Sequence, residues 1–120
     1  MTDRKPLSGI KVFDATQGVA GPHATLLLAQ HGANVIKVEP LEGDWGRSLG
    51  KVYGDLCAHA VTFNRGKRSI ALDLKTDAGR AVARKLAADA DIVVESFRPG
   101  VMQRFGLGYE QIKEKRGDVI

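Results

Sequence analysis

The run from Ile10 to Pro40 constrains the fold more than any other part of this chain, because two short β-rich segments there flank a single helical stretch. Ile10-Lys-Val-Phe-Asp14 alternates apolar and polar residues and reads as a strand. Thr16-Gln-Gly-Val-Ala-Gly21-Pro22 is a glycine-bearing turn, and Pro22 suits the first position of a helix, where its missing N–H would have no partner anyway. The helix predicted from Pro22 to Gln30 is apolar on nearly every side through Leu26, Leu27 and Leu28, which implies burial, and Gly32 is its stop. Asn34-Val-Ile-Lys-Val-Glu39 is a second strand, closed by Pro40. Strand, short helix and strand of these lengths make a βαβ unit with a right-handed crossover, and its ligand crevice lies at the carboxyl ends of the strands.

The rest of the chain extends that pattern. Residues 41–61 carry both charge signs, the single tryptophan and several glycines without a clear period, and read as a long loop that Trp45 and Tyr53 partly order. Residues 62–75 start as a basic loop around Gly66 and run into an alternating strand in which Ile70, Leu72 and Leu74 share a face. Thr76 caps a helix whose apolar face is read as Ala78, Ala81, Val82 and Leu86. Asp91-Ile-Val-Val-Glu95, with three consecutive β-branched residues, suits a parallel strand covered on both sides. Short helices are predicted over Val101–Phe105 and Tyr109–Arg116, and Asp118-Val-Ile120 resembles the opening of another strand. The expected fold class is therefore α/β: a Rossmann-like parallel sheet with flanking helices. Residues 1–120 are expected to be the amino-terminal part of a larger domain whose remainder lies outside this chain.

Charge narrows the function. The 62–75 stretch holds Arg65, Lys67, Arg68 and Lys75 against Asp73, and so carries most of the chain's formal net charge of +4. A cationic loop feeding a buried strand is a fixed site for an anion such as a polyphosphate. A solvated turn is the competing reading. An aromatic fraction of 6% and acidic residues spread throughout speak against a nucleic-acid partner. No apolar run approaches the roughly 20 residues that span a bilayer, and the first residues lack the apolar core of a signal peptide, so the expectation is a cytoplasmic protein without a membrane partner. The lone Cys57 can form no internal disulfide. His23, His31 and His59 have no metal or triad spacing, so no metal is expected.

Two constellations could bind a ligand. Gly18, Gly21 and Glu39 loosely match a nicotinamide-dinucleotide fingerprint, but the spacing is G-x-x-G and the glycines also fit plain close packing. The second is the cationic set Arg65, Lys67, Arg68, Lys75, Arg98 and Arg104 with Phe97. An aromatic ring beside such cations can stack a purine while they meet phosphates. The strand ending at Glu95 is expected to neighbour the one that follows the basic loop. Asp14, Glu39 and Glu95 fall at strand ends, and no pair announces a general acid and base.

The order of motifs is that of a known family. Leu7-Ser-Gly-Ile-Lys-Val-Phe-Asp14, Val19-Ala-Gly-Pro22, Gly32-Ala-Asn-Val-Ile-Lys-Val-Glu-Pro40, Asn64-Arg-Gly-Lys-Arg-Ser-Ile-Ala-Leu-Asp-Leu-Lys-Thr76, Asp91-Ile-Val-Val-Glu-Ser-Phe-Arg-Pro-Gly100 and Arg104-Phe-Gly-Leu-Gly108 together resemble the amino-terminal part of class III CoA-transferases, which include formyl-CoA and carnitine CoA-transferases and the related α-methylacyl-CoA racemases. The resemblance implies coenzyme A as the bound molecule, an acyl-CoA and a carboxylic acid as substrates, and an interlocked homodimer for the full-length enzyme. Carried over by position, it implies CoA contacts from Val19, Ala20, Leu72, Lys75, Ser96, Phe97 and Arg104. Formyl-CoA transferase has glutamine at the position of Val19, which leaves that residue a backbone role. Many relatives have asparagine where this chain has Ser96. The family's nucleophilic aspartate lies beyond residue 120, so no catalytic residue is assigned, and transferase and racemase share this segment.

Overall fold

The structure, a computed structural model, describes residues 4–120; the start of the polar lead expected over residues 1–8 lies outside the described residues. Four parallel strands form the sheet: β1 (Lys11–Ala15), β2 (Asn34–Glu39), a strand at Arg68–Ala71 and one at Ile92–Glu95. A small hairpin of β3 (Val52–Tyr53) and β4 (Leu56–Cys57) stands apart, so the two further sheet strands are β5 and β6 in chain order. The sheet order is β5-β2-β1-β6. The α/β fold follows the sequence reading, with one correction. β5 and β6 are not neighbours but opposite edges, because β1 and β2 pair with each other in the middle, Val12 against Val35 and Phe13 against Ile36.

Alternation along the strands divides the core between the two faces. Phe13, Ala15, Val38, Ile70 and Val93 face α3 (Asp77–Asp89), α4 (Val101–Arg104) and α5 (Tyr109–Lys113). Val12, Val35 and Ile92 face α1 (Ala20–Gln30). Phe13 is 1% exposed, and burying a ring of that size contributes about 2–3 kcal/mol.

The helices differ from expectation in instructive ways. α1 begins two residues before Pro22 and buries only Pro22, Thr25 and Leu26 fully, while Leu27 is 45% exposed, so it is not sunk in the core on all sides. Thr76 caps α3 as expected, its Oγ1 accepting the Gly79 N–H at 3.0 Å. The face that α3 buries is nevertheless Gly79, Ala83, Leu86 and Ala87, whereas Ala78, Ala81 and Val82 look outward. Small residues let the helix lie close to the sheet, and that contact leaves no bulky apolar stripe to read.

Two other segments are more ordered or shorter than predicted. Residues 41–61 hold a 3-10 helix (Trp45–Ser48), the hairpin and the start of α2 (Ala58–Asn64), so the expected long loop is largely structured. β5 ends at Ala71, yet Leu72 and Leu74 still pack with Ile70 on the α3-side core. Ile120 donates to the Asp91 carbonyl at 3.1 Å and accepts from the Val93 N–H at 2.9 Å, a parallel bridge on the outer edge of β6 where the sequence suggested an opening strand. Among the described residues, no helix is long and apolar enough to cross a membrane.

Candidate functional site

Parallel strands bring all their carboxyl ends to one side, and the segments that leave them enclose a cleft of about 260 Å³. Ala15 and Gln17 come from the end of β1, Val38 to Glu42 from β2, Leu72 to Lys75 from β5, and Phe97 from β6, with Phe105 behind. The lining is mainly apolar. Phe97 stands edge-on to Phe105, ring centroids 6.2 Å apart, and its own N–H donates to Glu95 Oε2 at 2.7 Å. The 72–75 turn is fixed from below: the Lys75 N–H donates to Asp73 Oδ1 at 2.9 Å, and Arg80 donates to the Leu74 and Lys75 carbonyls at 3.1 and 2.9 Å. Lys75 itself is exposed, with its ammonium unpaired among the described residues.

The residues singled out by sequence distribute unevenly around this cleft. Leu72, Lys75 and Phe97 line it. Ser96 borders it, its Oγ accepting the Gln17 N–H at 3.3 Å. Val19 and Ala20 are exposed at the start of α1, just past the lining residue Gln17. Arg104 is exposed at the end of α4 and is not part of the lining, although the adjoining Phe105 is.

The wider cationic set does not converge. Arg68 sits at the amino end of β5, far down the sheet, and donates to Asn34 Oδ1 at 3.0 Å. Arg98 lines a separate hollow beside β6 with Glu95 and Tyr109. Arg65 and Lys67 lie on the α1 side with Arg47 and Val61. The Lys67 side chain turns inward, 1% exposed, and its Nζ donates to Asp14 Oδ2, the Pro22 carbonyl and Asn64 Oδ1 at 3.1, 2.9 and 3.1 Å. Burial pushes its ammonium below its ordinary value, and the Asp14 carboxylate pulls it partly back. Asp14 also accepts from the Thr16 and Thr25 hydroxyls at 2.5 and 2.6 Å.

Sequence reasoning missed a second buried pair. Lys37, in the middle of apolar β2, donates to Asp44 Oδ2 at 2.8 Å and to the Thr16 carbonyl at 2.9 Å. A lysine flanked by Val35, Ile36 and Val38 needs a carboxylate, and that requirement was the available signal. Glu39, beside it, accepts Arg47 at 2.6 and 2.7 Å, the Asp44 N–H at 2.9 Å and the Ser69 hydroxyl at 2.7 Å. Burial alone would raise the Glu39 carboxyl, but Arg47 and the other two donors hold it down at about 2.

These bonds remove the basis of the dinucleotide reading. Glu39 is occupied and not free for a ribose. The glycines serve packing: a Cβ on Gly21 would lie 2.3 Å from the Thr16 Cβ, and one on Gly18, which has φ +81°, would lie 2.1 Å from the Trp45 ring. Among the described residues, no group of three or more His, Cys, Asp or Glu side chains could hold a metal.

With the cleft defined, likeness to known proteins becomes informative. The family described as CoA-transferase family III matches residues 7–120. The chain is 45% identical over 119 residues to a succinyl-CoA:mesaconate CoA-transferase of Haloarcula hispanica, covering 95% of this chain and 30% of that protein. It is 43% identical over 122 residues to the human succinyl-CoA:glutarate CoA-transferase, covering 100% of this chain and 28% of the relative. The crystal structure of Rv3272 from Mycobacterium tuberculosis superposes with a TM-score of 0.88 at 40% identity, over 97% of this chain and 32% of that one. The chain thus spans about a third of the length of the proteins it matches. A match that runs through β1, the first turn, the basic loop and the β6 end places this chain in CoA-transferase family III.

Proposed function

We propose that this chain is the CoA-binding front of an enzyme that moves CoA between carboxylic acids. One observation carries the proposal: Leu72 and Lys75 from one edge of the sheet and Phe97 from the other line a single cleft at its carboxyl end. Its apolar lining suits an adenine ring against Phe97 and Phe105. The exposed Lys75 ammonium at its rim, unpaired among the described residues, suits a phosphate. Ser96, Val19 and Ala20 border the same opening, and Arg104 sits one residue from it.

Two of the carboxylates at the cleft are engaged by the fold itself. Glu39 is tied to Arg47, and Asp73 to the Lys75 N–H. In this reading an aspartate downstream of residue 120 supplies the chemistry. Its carboxylate attacks the acyl-CoA thioester carbonyl, forming a mixed anhydride and expelling the CoA thiolate. The thiolate then attacks the aspartyl carbonyl of the anhydride, releasing the donor acid and leaving an aspartyl-CoA thioester. The acceptor carboxylate attacks that thioester, expelling the thiolate and forming a second anhydride, and the thiolate attacks the acceptor's own carbonyl, giving the new acyl-CoA and free aspartate. The whole enzyme works as an interlocked homodimer.

Isothermal titration of the chain with CoA and with dephospho-CoA tests the binding half of the proposal. Tighter binding of CoA is expected. Equal binding removes the 3′-phosphate role, and no binding of either overturns the assignment.

A further inference from the structure

We infer that Asp44 is the positioning residue for the turn that faces CoA, and that it acts through the backbone of Gly18. This inference rests on the reading just given. The turn from Gln17 to Ala20 leaves β1 at the edge of the cleft, and little in its own sequence fixes it: Gly18 is in the left-handed region, and Val19 caps α1 without a side-chain hydrogen bond. Its position comes from a segment more than 25 residues later.

Asp44 is almost wholly buried and accepts from three donors. Oδ1 takes the Gly18 N–H at 3.0 Å and the Gly46 N–H at 2.8 Å, while Oδ2 takes Lys37 at 2.8 Å. Lys37 in turn donates to the Thr16 carbonyl at 2.9 Å, so one ion pair grips the turn from both sides of Gln17. Trp45 fills the space where a side chain on Gly18 would stand, and His59 Nε2 lies 3.1 Å from the Gly18 carbonyl. The backbone N–H of Asp44 is fixed by Glu39, which also lines the cleft. The register of the turn relative to Leu72, Lys75 and Phe97 is therefore set by where this carboxylate sits, and not only by the charge it supplies to Lys37.

Charge and position can be separated by two variants. Asp44→Glu keeps the charge that Lys37 needs but moves the carboxylate by one methylene. The double variant Lys37→Gln with Asp44→Asn removes both charges but keeps an oxygen where the Gly18 N–H expects it and an N–H donor at position 37 for the Thr16 carbonyl. Calorimetric CoA affinity and hydrogen exchange of the Gly18 amide are the readouts, with thermal melting as the control for folding. Asp44→Glu should weaken CoA about tenfold, the scale of one well-placed hydrogen bond, and speed Gly18 exchange; the double variant should stay within about threefold of wild type. An Asp44→Glu protein that binds CoA like wild type, or a folded double variant that loses more than about tenfold, overturns the positioning role. If Asp44→Glu does not melt cooperatively, the double variant alone decides by the same limits. Failure of the wild-type chain to bind CoA instead overturns the functional reading, and this inference with it.

Discussion

The two faces at the carboxyl end of the sheet treat charge in opposite ways. On the cleft side Lys75 is exposed beside apolar Leu72 and Phe97, without a counter-ion among the described residues. On the α1 side the side chains of Lys37 and Lys67 are each 1% exposed and matched to Asp44 and Asp14. Lys67 and Lys75 are eight residues apart in one basic stretch, yet one belongs to the scaffold and the other to the opening. Local cationic density does not mark an anion site. What separates the two is whether the stem of the lysine is swallowed by neighbouring elements that also bring a carboxylate.

The largest expected effect strikes the buried side. Asp14→Ala leaves Lys67 as an uncompensated interior cation and should cost about 3–5 kcal/mol in urea unfolding. A loss under about 1 kcal/mol would show that Lys67 reaches water and that the contrast between the faces is weaker than drawn. Gly21→Ala comes next: its new methyl meets Thr16, and overpacking of this kind costs about 1–3 kcal/mol, read by the same unfolding curves.

Acid sharpens the comparison further. The folded Glu39 carboxyl is held at about 2 against an ordinary 4.5, so its contribution is complete above 4.5 and is lost as pH falls through about 2. Arg47→Gln removes the main donor, and acid unfolding followed by circular dichroism should then begin at higher pH. An unmoved midpoint would mean that the Asp44 N–H and Ser69 suffice. The smallest effect on stability belongs to the cleft. Lys75→Ala should change stability by less than about 0.5 kcal/mol while weakening CoA about tenfold in calorimetry. A destabilised Lys75→Ala protein would erase the distinction between the faces.

Much of this architecture could be read from local sequence. β2 was predicted at Asn34–Glu39, and the Thr76 cap and the β-branched run before Glu95 announced α3 and β6 because each signal is contained in a few residues. Strand order was not legible. Nothing in Arg68–Ala71 or Ile92–Glu95 says which partner each will find, and the expected adjacency of β5 and β6 failed for that reason. The buried face of α3 escaped because glycine and alanine carry almost no hydrophobic signal while permitting the closest packing. Of the proposed contacts, Lys75 and Phe97 were grouped from the residues on an assumed adjacency of β5 and β6, and Leu72 joined them only by resemblance; their convergence on one cleft instead spans β1 and β2, which lie between those edges. The supports beneath the cleft, Asp44 and Arg47, were hidden in a segment without periodicity.

The bond between Asp14 and Lys67 joins residues 53 positions apart, and this has a consequence for biosynthesis. As the chain leaves the ribosome, β1, α1 and β2 emerge before β5, with the Asp14 carboxylate met by the hydroxyls of Thr16 and Thr25 and by the Thr16 N–H. The ammonium that completes its shell arrives dozens of residues later, together with β5. Nascent chains stalled before that point should therefore hold an open, protease-sensitive half-sheet, and the first layer should lock only once the second has been translated.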